Sequence, residues 1–151
     1  EGKPRYLMGV GYERDIVEAV RAGVDMFDCV LPTRNGRNAN AFTRAGMFRL
    51  KNARFAEDAG PIEEGCDCLA CSPASHGWAI PSRGGGTVGV VSRAYLRHLF
   101  MSKEMLGPIL VSLHNVRHFQ RLMVELRAAI REDAWSAFLG RWPVLEGVAL
   151  S

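Results

Sequence analysis

Two short apolar runs flank an amphipathic segment near the start of the chain. The runs occupy residues 6–10 and 24–30, and each is short enough for a strand. Between them Ile16, Val17 and Val20 recur at helical spacing, behind acidic residues suited to a first helical turn. This order predicts a βαβ unit with parallel, buried strands and a right-handed connection. Ligands of such folds bind at the C-terminal strand ends.

The middle of the chain has a weaker pattern. Turn residues alternate with short apolar pieces over residues 33–55, which predicts a loop and a small β-hairpin turning at Ala45-Gly46. Residues 72–91 are rich in Ser, Pro and Gly without usable periodicity, and we expect a flexible loop there. Ser92 then has the residue type and position of a helix N-cap.

A longer amphipathic helix is predicted to begin near Leu113. Its apolar positions form one stripe that we expect to pack in a core: Val116, Phe119, Leu122, Met123, Leu126 and Ile130. A final amphipathic turn is expected before residue 143, and residues 143–151 carry no recognisable motif. No apolar run approaches the ~18 residues that span a bilayer, so we expect no membrane contact.

Composition places the chain among folded proteins. It has 151 residues, of which 48% are hydrophobic and 23% charged, which suits one ordinary domain and excludes a disordered chain. The net charge of +3 is weakly informative, but basic residues cluster in one stretch: Arg34, Arg37, Arg44, Arg49, Lys51 and Arg54. This stretch is either a solvated loop or a surface that contacts phosphates.

Three of the four cysteines lie within six positions. Cys66, Cys68 and Cys71 suit a metal better than a disulfide framework, and this usage indicates a reducing, cytoplasmic location. Thiolates this close are natural ligands of tetrahedral zinc. The candidates for a fourth ligand are His76, His98, His114 and His118, of which His76 is nearest in sequence. Four protein ligands leave no open position, which favours a structural zinc, one per chain.

A carboxylate in the second apolar run is costly to bury unless it is paired, hydrogen-bonded or functional. Asp28 and Asp25 both qualify, and strand alternation puts them on opposite faces. Asp28 lies nearer the C-terminal strand end, which slightly favours it as a reactive group. The competing interpretation is a structural Asp28 bonded to a backbone amide or to Arg34.

Several motifs in one order resemble the C-terminal part of bacterial tRNA-guanine transglycosylases. The resemblance covers roughly residues 3–142. It is carried by Tyr6 to Gly11, Gly23 to Arg34, Arg37-Asn38, Arg49 to Arg54, the cysteine cluster, Ser92 to Leu96 and His114-Asn115. It implies an α/β fold, the C-terminal part of a (β/α)8 TIM barrel with an inserted β-hairpin and zinc-binding subdomain. The implied division is 1–32 for the final βαβ unit, 33–112 for the hairpin and zinc subdomain, 113–142 for the closing helices and 143–151 for the tail.

The resemblance also implies an activity. In this family the Asp of the Phe-Asp-Cys-Val motif, here Asp28, attacks the ribose of the wobble guanosine in a tRNA anticodon and expels guanine. The covalent intermediate then accepts 7-aminomethyl-7-deazaguanine, the queuosine precursor, by double displacement.

Further roles follow from the matched positions. Met8 and Gly9 match the base pocket, and Arg34 and Arg37 match residues that grip the anticodon loop. The implied zinc ligands are Cys66, Cys68, Cys71 and His114. The implied contacts of a homodimer are Tyr95 and His98.

The sequence departs from the family's pattern at two points. Residues 72–91 are longer than the family's link at this point, next to the expected dimer contact. The family's general acid/base Asp and the groups that read the base edge belong to earlier strands, which this sequence lacks. A complete barrel needs ~250 residues, so we expect the last quarter of a barrel, inactive by itself. The alternative is a non-catalytic zinc-containing module for RNA binding or dimerisation.

Overall fold

A computed structural model of the protein describes residues 2–78, 80–81 and 87–148. These residues form a mixed α/β structure with three two-stranded sheets and five α-helices. In chain order the elements are β1 (Tyr6–Met8), α1 (Glu13–Arg21), β2 (Met26–Asp28), α2 (Leu31–Arg37), β3 (Asn40–Thr43), β4 (Gly46–Arg49), β5 (Ile80–Pro81), β6 (Thr87–Val88), α3 (Arg93–Met101), α4 (Leu106–Glu132) and α5 (Trp135–Gly140). Three 3-10 turns lie at Ala53–Phe55, Pro73–His76 and Pro143–Leu145. The described residues form no closed barrel.

The predicted βαβ unit is present. Strands β1 and β2 pair in parallel, with Tyr6 opposite Met26 and Met8 opposite Asp28. Helix α1 connects them and buries Ile16 and Val17. The two strands therefore have the direction and order that the apolar pattern predicted.

The prediction that these strands are buried was wrong for the described residues. Tyr6, Met8 and Met26 are 54%, 73% and 49% exposed, whereas Phe27 on the opposite face packs against the core. Helices of the described chain cover only this second face. A parallel strand covered on one face keeps every alternate side chain exposed.

A helix occupies the start of the region predicted to be a loop. Helix α2 begins at Leu31, with Pro32 in its first turn, where a proline's missing N–H costs no helical hydrogen bond. The hairpin that follows is confirmed: β3 and β4 pair antiparallel, with Thr43 opposite Gly46. Its two-residue turn is Arg44-Ala45, one position earlier than predicted.

The segment 72–91 is not irregular throughout. It contains the 3-10 turn at Pro73–His76 and the antiparallel pair of β5 and β6, while residues 79 and 82–86 lie outside the described ones. The helix expected after it is α3. The Tyr95 backbone N–H donates to Ser92 Oγ at 3.1 Å, which confirms the N-cap.

The longest helix, α4, begins at Leu106 and not near Leu113. Of the predicted stripe, Phe119, Leu122 and Leu126 are buried as expected. Val116 and Ile130 are 39% and 50% exposed. The predicted apolar stripe is therefore wider than the face of α4 that packs in the core. Val116 lines a groove between α4 and β2.

Helix α4 joins two hydrophobic clusters. Its first half packs in a cluster with the cysteine loop, α3 and the hairpin, and its second half packs with α1, α5 and the final turn. The predicted boundary between residues 112 and 113 thus lies inside α4. Residues of this helix pack in both hydrophobic clusters, one on each side of the predicted boundary. In the described part of the chain, no helix is long and apolar enough to cross a membrane.

Helices α2 and α4 cross closely at Gly36. A Cβ at this position would lie 2.6 Å from Ser112 Oγ and 2.7 Å from Ser112 Cα, inside the distance that real contacts allow. The Ser112 hydroxyl donates to the Thr33 carbonyl at 3.5 Å across the same crossing. The absence of a side chain at Gly36 therefore sets how near α2 lies to α4.

We expect Gly36→Ala to lower the free energy of unfolding by about 1–3 kcal/mol, because the added methyl forces the two helix backbones apart. Urea denaturation followed by circular dichroism measures the change. Gly140→Ala is the matched control, since a Cβ there meets nothing within 4 Å. Equal stability of the two variants would show that the crossing tolerates a side chain.

Candidate functional site

The cysteine loop meets α4 at a buried cluster. Cys66, Cys68, Cys71 and His114 are all buried, and their ligand atoms lie within 4.8 Å of one another. His114 Nδ1 lies 3.7 Å from Cys66 Sγ, 3.4 Å from Cys68 Sγ and 3.5 Å from Cys71 Sγ. Tetrahedral zinc, about 2.3 Å from sulfur and 2.0–2.1 Å from nitrogen, separates those atoms by about 3.6 Å. The cluster fits a structural zinc site.

The orientation of His114 is set by a hydrogen bond on the far side of its ring. Nε2 lies 2.8 Å from the Phe42 carbonyl oxygen, which only accepts, so Nε2 carries the hydrogen and donates it. Nδ1 is then left as the lone-pair nitrogen facing the three thiols. Such an outer partner fixes the tautomer and rotation of a metal-binding histidine.

The next residue, Asn115, fastens the same region by three hydrogen bonds. Its Oδ1 accepts from the Phe42 backbone N–H at 3.0 Å, and its Nδ2 donates to the carbonyls of Pro32 and Asn40, each at 2.9 Å. Asn115 is fully buried, so these bonds satisfy polar groups that water cannot reach. Two adjacent residues of α4 therefore hold the cysteine loop, the hairpin and the start of α2 together.

The cysteine loop is also held by local contacts. The Cys71 backbone N–H donates to Cys68 Sγ at 3.3 Å. Arg117, one helical turn after His114, donates from Nε to Asp67 Oδ1 at 2.7 Å, and its hydrogen bonds hold the pKa of Asp67 below its ordinary value. Arg117 thus anchors the loop to α4 next to Cys68, and the hydrogen bond between Cys71 and Cys68 closes the loop locally.

The buried thiols and His114 influence one another's protonation. Hydrogen bonds from Cys68 and Cys71 lower the pKa of the Cys66 thiol, whereas contacts with Cys66 and Cys68 raise the pKa of Cys71. Burial opposes a charged His114, but its contacts with Cys66 and Cys68 outweigh this and raise its pKa to about 10. Several thiolates cannot be buried together without positive charge. A divalent cation supplies that charge and displaces the protons.

The other three histidines are placed elsewhere. His76, nearest in sequence, is exposed with Nε2 2.7 Å from the Asp67 carbonyl oxygen. His98 is exposed on α3. His118 is buried and donates from Nε2 to Glu13 Oε1 at 2.8 Å, which joins α4 to α1. Only His114 approaches the thiols, as the family resemblance implied.

Asp28 lies at the C-terminal end of β2 on the exposed face of the βαβ unit. The parallel register puts its side chain on the same face as Tyr6, Met8 and Met26. The Tyr6 hydroxyl donates to Asp28 Oδ1 at 2.6 Å. The Gly9 N–H donates to the Asp28 carbonyl at 2.9 Å, with Gly9 at a φ of 77°, where the absence of a side chain avoids strain. Asp28 is therefore accessible, and its partner is neither a backbone amide nor Arg34.

Asp25 has a different environment. It precedes β2, and its Oδ2 accepts a hydrogen bond from the Arg5 backbone N–H at 2.8 Å. This contact fastens the beginning of β1 to β2. The structure thus separates the two competing carboxylates: Asp25 stabilises the strand pair and Asp28 stands on its exposed face.

The basic stretch divides into structural and exposed residues. Arg44 forms an ion pair with Glu125, and its guanidinium lies 5.1 Å from the centre of the Trp142 ring. Arg34 and Arg37 are exposed and stand three residues apart on α2, hence on one face. Helix α2 begins three residues after Asp28, so this face follows directly from the end of β2.

The predicted interface residues Tyr95 and His98 lie one turn apart on α3, and both are exposed. Tyr95 is 46% exposed, which is high for an aromatic side chain. The structure therefore leaves both side chains accessible.

Comparison with known proteins assigns the chain to a family. Residues 1–143 match the family model described as queuine tRNA-ribosyltransferase. The chain belongs to this family.

Curated members of the queuine tRNA-ribosyltransferase family match most of the chain. The relative from Thioalkalivibrio sulfidiphilus is 51% identical over 143 residues, which are 92% of this chain and 34% of that protein. The relative from Granulibacter bethesdensis is 52% identical over 131 residues, 87% of this chain and 30% of that protein. The relative from Marinobacter nauticus is 48% identical over 147 residues, which are 97% of this chain and 35% of that protein. The chain spans about a third of the length of these relatives.

Sequence reasoning missed two side chains near the family's motifs. Tyr6 belongs to a predicted strand and to a matched motif but has no predicted role, although it alternates with Met8 and, by the strand register, shares the face of Asp28. Asn115 belongs to the matched His114-Asn115 motif, but the sequence predicted no role for its side chain. The alternation along β1 is a signal for the first, but nothing local indicates the partners of Asn115, which lie 73 to 83 positions away.

We expect one zinc per chain, lost in Cys68→Ala because three ligands cannot close the tetrahedron. Metal content after dialysis, measured by plasma mass spectrometry, checks this. Cys29→Ala is the matched control, because Cys29 lies outside the cluster and the variant should keep its zinc. Full occupancy in Cys68→Ala would contradict the ligand set.

Proposed function

We propose that this chain is the C-terminal portion of a queuine tRNA-ribosyltransferase. The reaction exchanges guanine at the wobble position of the tRNA anticodon for 7-aminomethyl-7-deazaguanine in queuosine biosynthesis. The observation that carries the proposal is the arrangement at the end of β2: an accessible Asp28 beside the exposed Met8, followed within three residues by the helix that bears Arg34 and Arg37. Family membership and the names of the relatives support it.

The proposed chemistry is a double displacement at the ribose anomeric carbon. A carboxylate oxygen of Asp28 forms a bond to this carbon while the bond to the guanine nitrogen breaks, and a general acid supplies a proton to the leaving base. The incoming base then loses a proton to the same group and attacks, and the Asp28 carboxylate leaves. Family resemblance places the acid/base group on strands that precede this sequence, so we expect the chain by itself to be inactive.

The exposed face of the βαβ unit supports the barrel interpretation. We place β1 and β2 as two parallel strands of a (β/α)8 barrel, in which both faces of each strand are covered. Met8 and Gly9 then lie at the C-terminal strand end, where such barrels bind their ligands, and line the pocket for the 7-deazaguanine-type base. The domain division at residues 32, 112 and 142 belongs to this proposal.

The zinc has a structural role in this proposal. Cys66, Cys68, Cys71 and His114 would supply all four ligands, which leaves no position for substrate. When bound, the metal neutralises the thiolates and ties the cysteine loop to α4. Through Asn115, the same turn of α4 holds the start of α2, so the arginine-bearing helix is fixed relative to Asp28.

We also propose a homodimer. Tyr95 and His98 are exposed on α3, and Met101 at the end of α3 and Met105 just before α4 are exposed as well. Exposed aromatic and methionine side chains are typical of protein interfaces. The cytoplasmic location stays a prediction from the reduced cysteines.

We expect Asp28→Asn to reduce base exchange by about 10³-fold or more, because an amide oxygen is a poor nucleophile. The assay measures incorporation of labelled guanine into tRNA by the full-length gene product. Asp25→Asn is the matched control and should keep exchange within about tenfold, since its contact is structural. Unchanged exchange in Asp28→Asn would refute the nucleophile and favour the non-catalytic RNA-binding or dimerisation module.

We expect Arg34→Ala and Arg37→Ala each to weaken tRNA binding and to reduce the slope of log affinity against log salt by about one, because each removes one phosphate contact. Fluorescence anisotropy with a labelled anticodon stem-loop measures both quantities. Arg131→Ala, on the last turn of α4, is the control for general loss of charge. An effect as large in Arg131→Ala would contradict a defined RNA-binding face on α2.

A further inference from the structure

The hydrogen bond between Tyr6 and Asp28 is the most specific contact on the exposed face of the βαβ unit. The strand register puts Tyr6 opposite Met26 and Asp28 opposite Met8, so the two side chains meet diagonally across the pair of strands. The Tyr6 hydroxyl donates to Asp28 Oδ1 at 2.6 Å, a short distance typical of a bond to a charged acceptor. One oxygen of the carboxylate is therefore held and the other is left available.

We propose that Tyr6 is a positioning residue, which orients the Asp28 carboxylate so that Oδ2 attacks the ribose while Oδ1 stays hydrogen-bonded. The inference rests on the proposed function of Asp28 and extends it to a second side chain. Tyr6 itself forms no bond to the substrate in this proposal.

The rigidity of both strands supports this role. The Tyr6 side chain has few rotatable bonds before its hydroxyl, because the aromatic ring is rigid. Its backbone is held by pairing with β2. The Arg5 N–H bond to Asp25 fixes β1 at the position just before Tyr6. The carboxylate and its donor are thus carried by two strands whose relative position is fixed at one end by Asp25 and at the other by the Gly9–Asp28 backbone bond.

The hydrogen bond acts differently in the two displacement steps. During formation of the covalent intermediate, negative charge leaves the carboxylate, so the bond contributes orientation more than charge stabilisation. During breakdown, the electron pair of the ribose–Oδ2 bond returns to the carboxylate, and the bond to Oδ1 stabilises the developing charge. Loss of the hydroxyl is therefore expected to slow breakdown more than formation, and the covalent intermediate should accumulate.

The protonation behaviour of Tyr6 is consistent with a lasting donor. The hydrogen bond to Asp28, partial desolvation and the negative charge of Asp28 all raise the pKa of the Tyr6 phenol above its ordinary value of 10.0. A raised pKa keeps the hydroxyl protonated throughout the neutral range. The donor role is thus available at neutral pH.

The first test is Tyr6→Phe in the full-length gene product. We expect kcat for base exchange to fall ~10–100-fold, with KM for tRNA unchanged within about twofold, because orientation and charge stabilisation are lost but RNA contacts are kept. Denaturing gels of the enzyme with tRNA should show more covalent complex at steady state. Tyr12→Phe is the matched control, since it removes a hydroxyl at the start of α1 and leaves the Tyr6–Asp28 bond in place.

The kinetic outcome distinguishes positioning from a purely structural link. A structural role would lower the melting temperature and the amount of active enzyme, without changing the ratio of covalent complex to free enzyme. Equal kcat in Tyr6→Phe and Tyr12→Phe would overturn the inference. Loss of activity in Tyr6→Phe that follows only a loss of folded protein would overturn it as well.

The second test separates this inference from the proposed function. NMR of the full-length gene product labelled with carbon-13 at tyrosine follows the titration of the Tyr6 phenol, whose signal is identified as the one lost in Tyr6→Phe. In Asp28→Asn we expect the pKa of Tyr6 to fall towards its ordinary value, because the charged acceptor is gone. No change would show that the contact is absent and would overturn the inference, whatever the activity. A change in the pKa combined with full exchange in Asp28→Asn would instead refute the nucleophile.

Discussion

The attachment of the cysteine loop to α4 is the constraint on which the rest of this structure depends. The loop cannot bury three thiols by itself, because the first hydrophobic cluster closes only when α4 covers it. His114 makes that closure specific: one ring nitrogen faces the thiols, and the other is held by the Phe42 carbonyl on the hairpin. A metal at this point therefore links three segments that are far apart in sequence.

The same turn of α4 carries this constraint to the arginine-bearing helix. Asn115 bonds to the carbonyl of Pro32, and Gly36 lets α2 approach α4 until the backbones almost touch. Helix α2 follows β2 after only two intervening residues, so its position and that of Asp28 are coupled. A structural metal that takes no part in the chemistry can thus determine where Arg34 and Arg37 stand relative to Asp28, the three residues on which the proposed function rests.

Burial and exposure divide the molecule according to these roles. The metal cluster, Asn115 and the His118–Glu13 pair are buried, as polar groups must be when their partners are fixed inside the protein. Asp28, Tyr6 and the two arginines of α2 are exposed, which leaves them free for groups outside the described chain. The exposed apolar side chains of β1 and β2 lie on this same face. Such side chains are typical of parallel strands whose second face is also covered by other elements.

Local spacing determined much of this protein from the sequence by itself: the metal-binding cysteines, helix α1, the cap at Ser92 and the order of the βαβ unit all depend on residues close in the chain. Spacing by itself did not choose among the four histidines. The family resemblance indicated His114, and the tertiary structure shows why: its approach to the thiols depends on where α4 crosses the loop. Helix α2 was missed because Pro32, Asn35 and Gly36 are poor helix formers, and its packing on α4 outweighs that local preference. Tyr6 and Asp28 meet for the same reason: their distance is set by the register of two strands, which no local pattern contains.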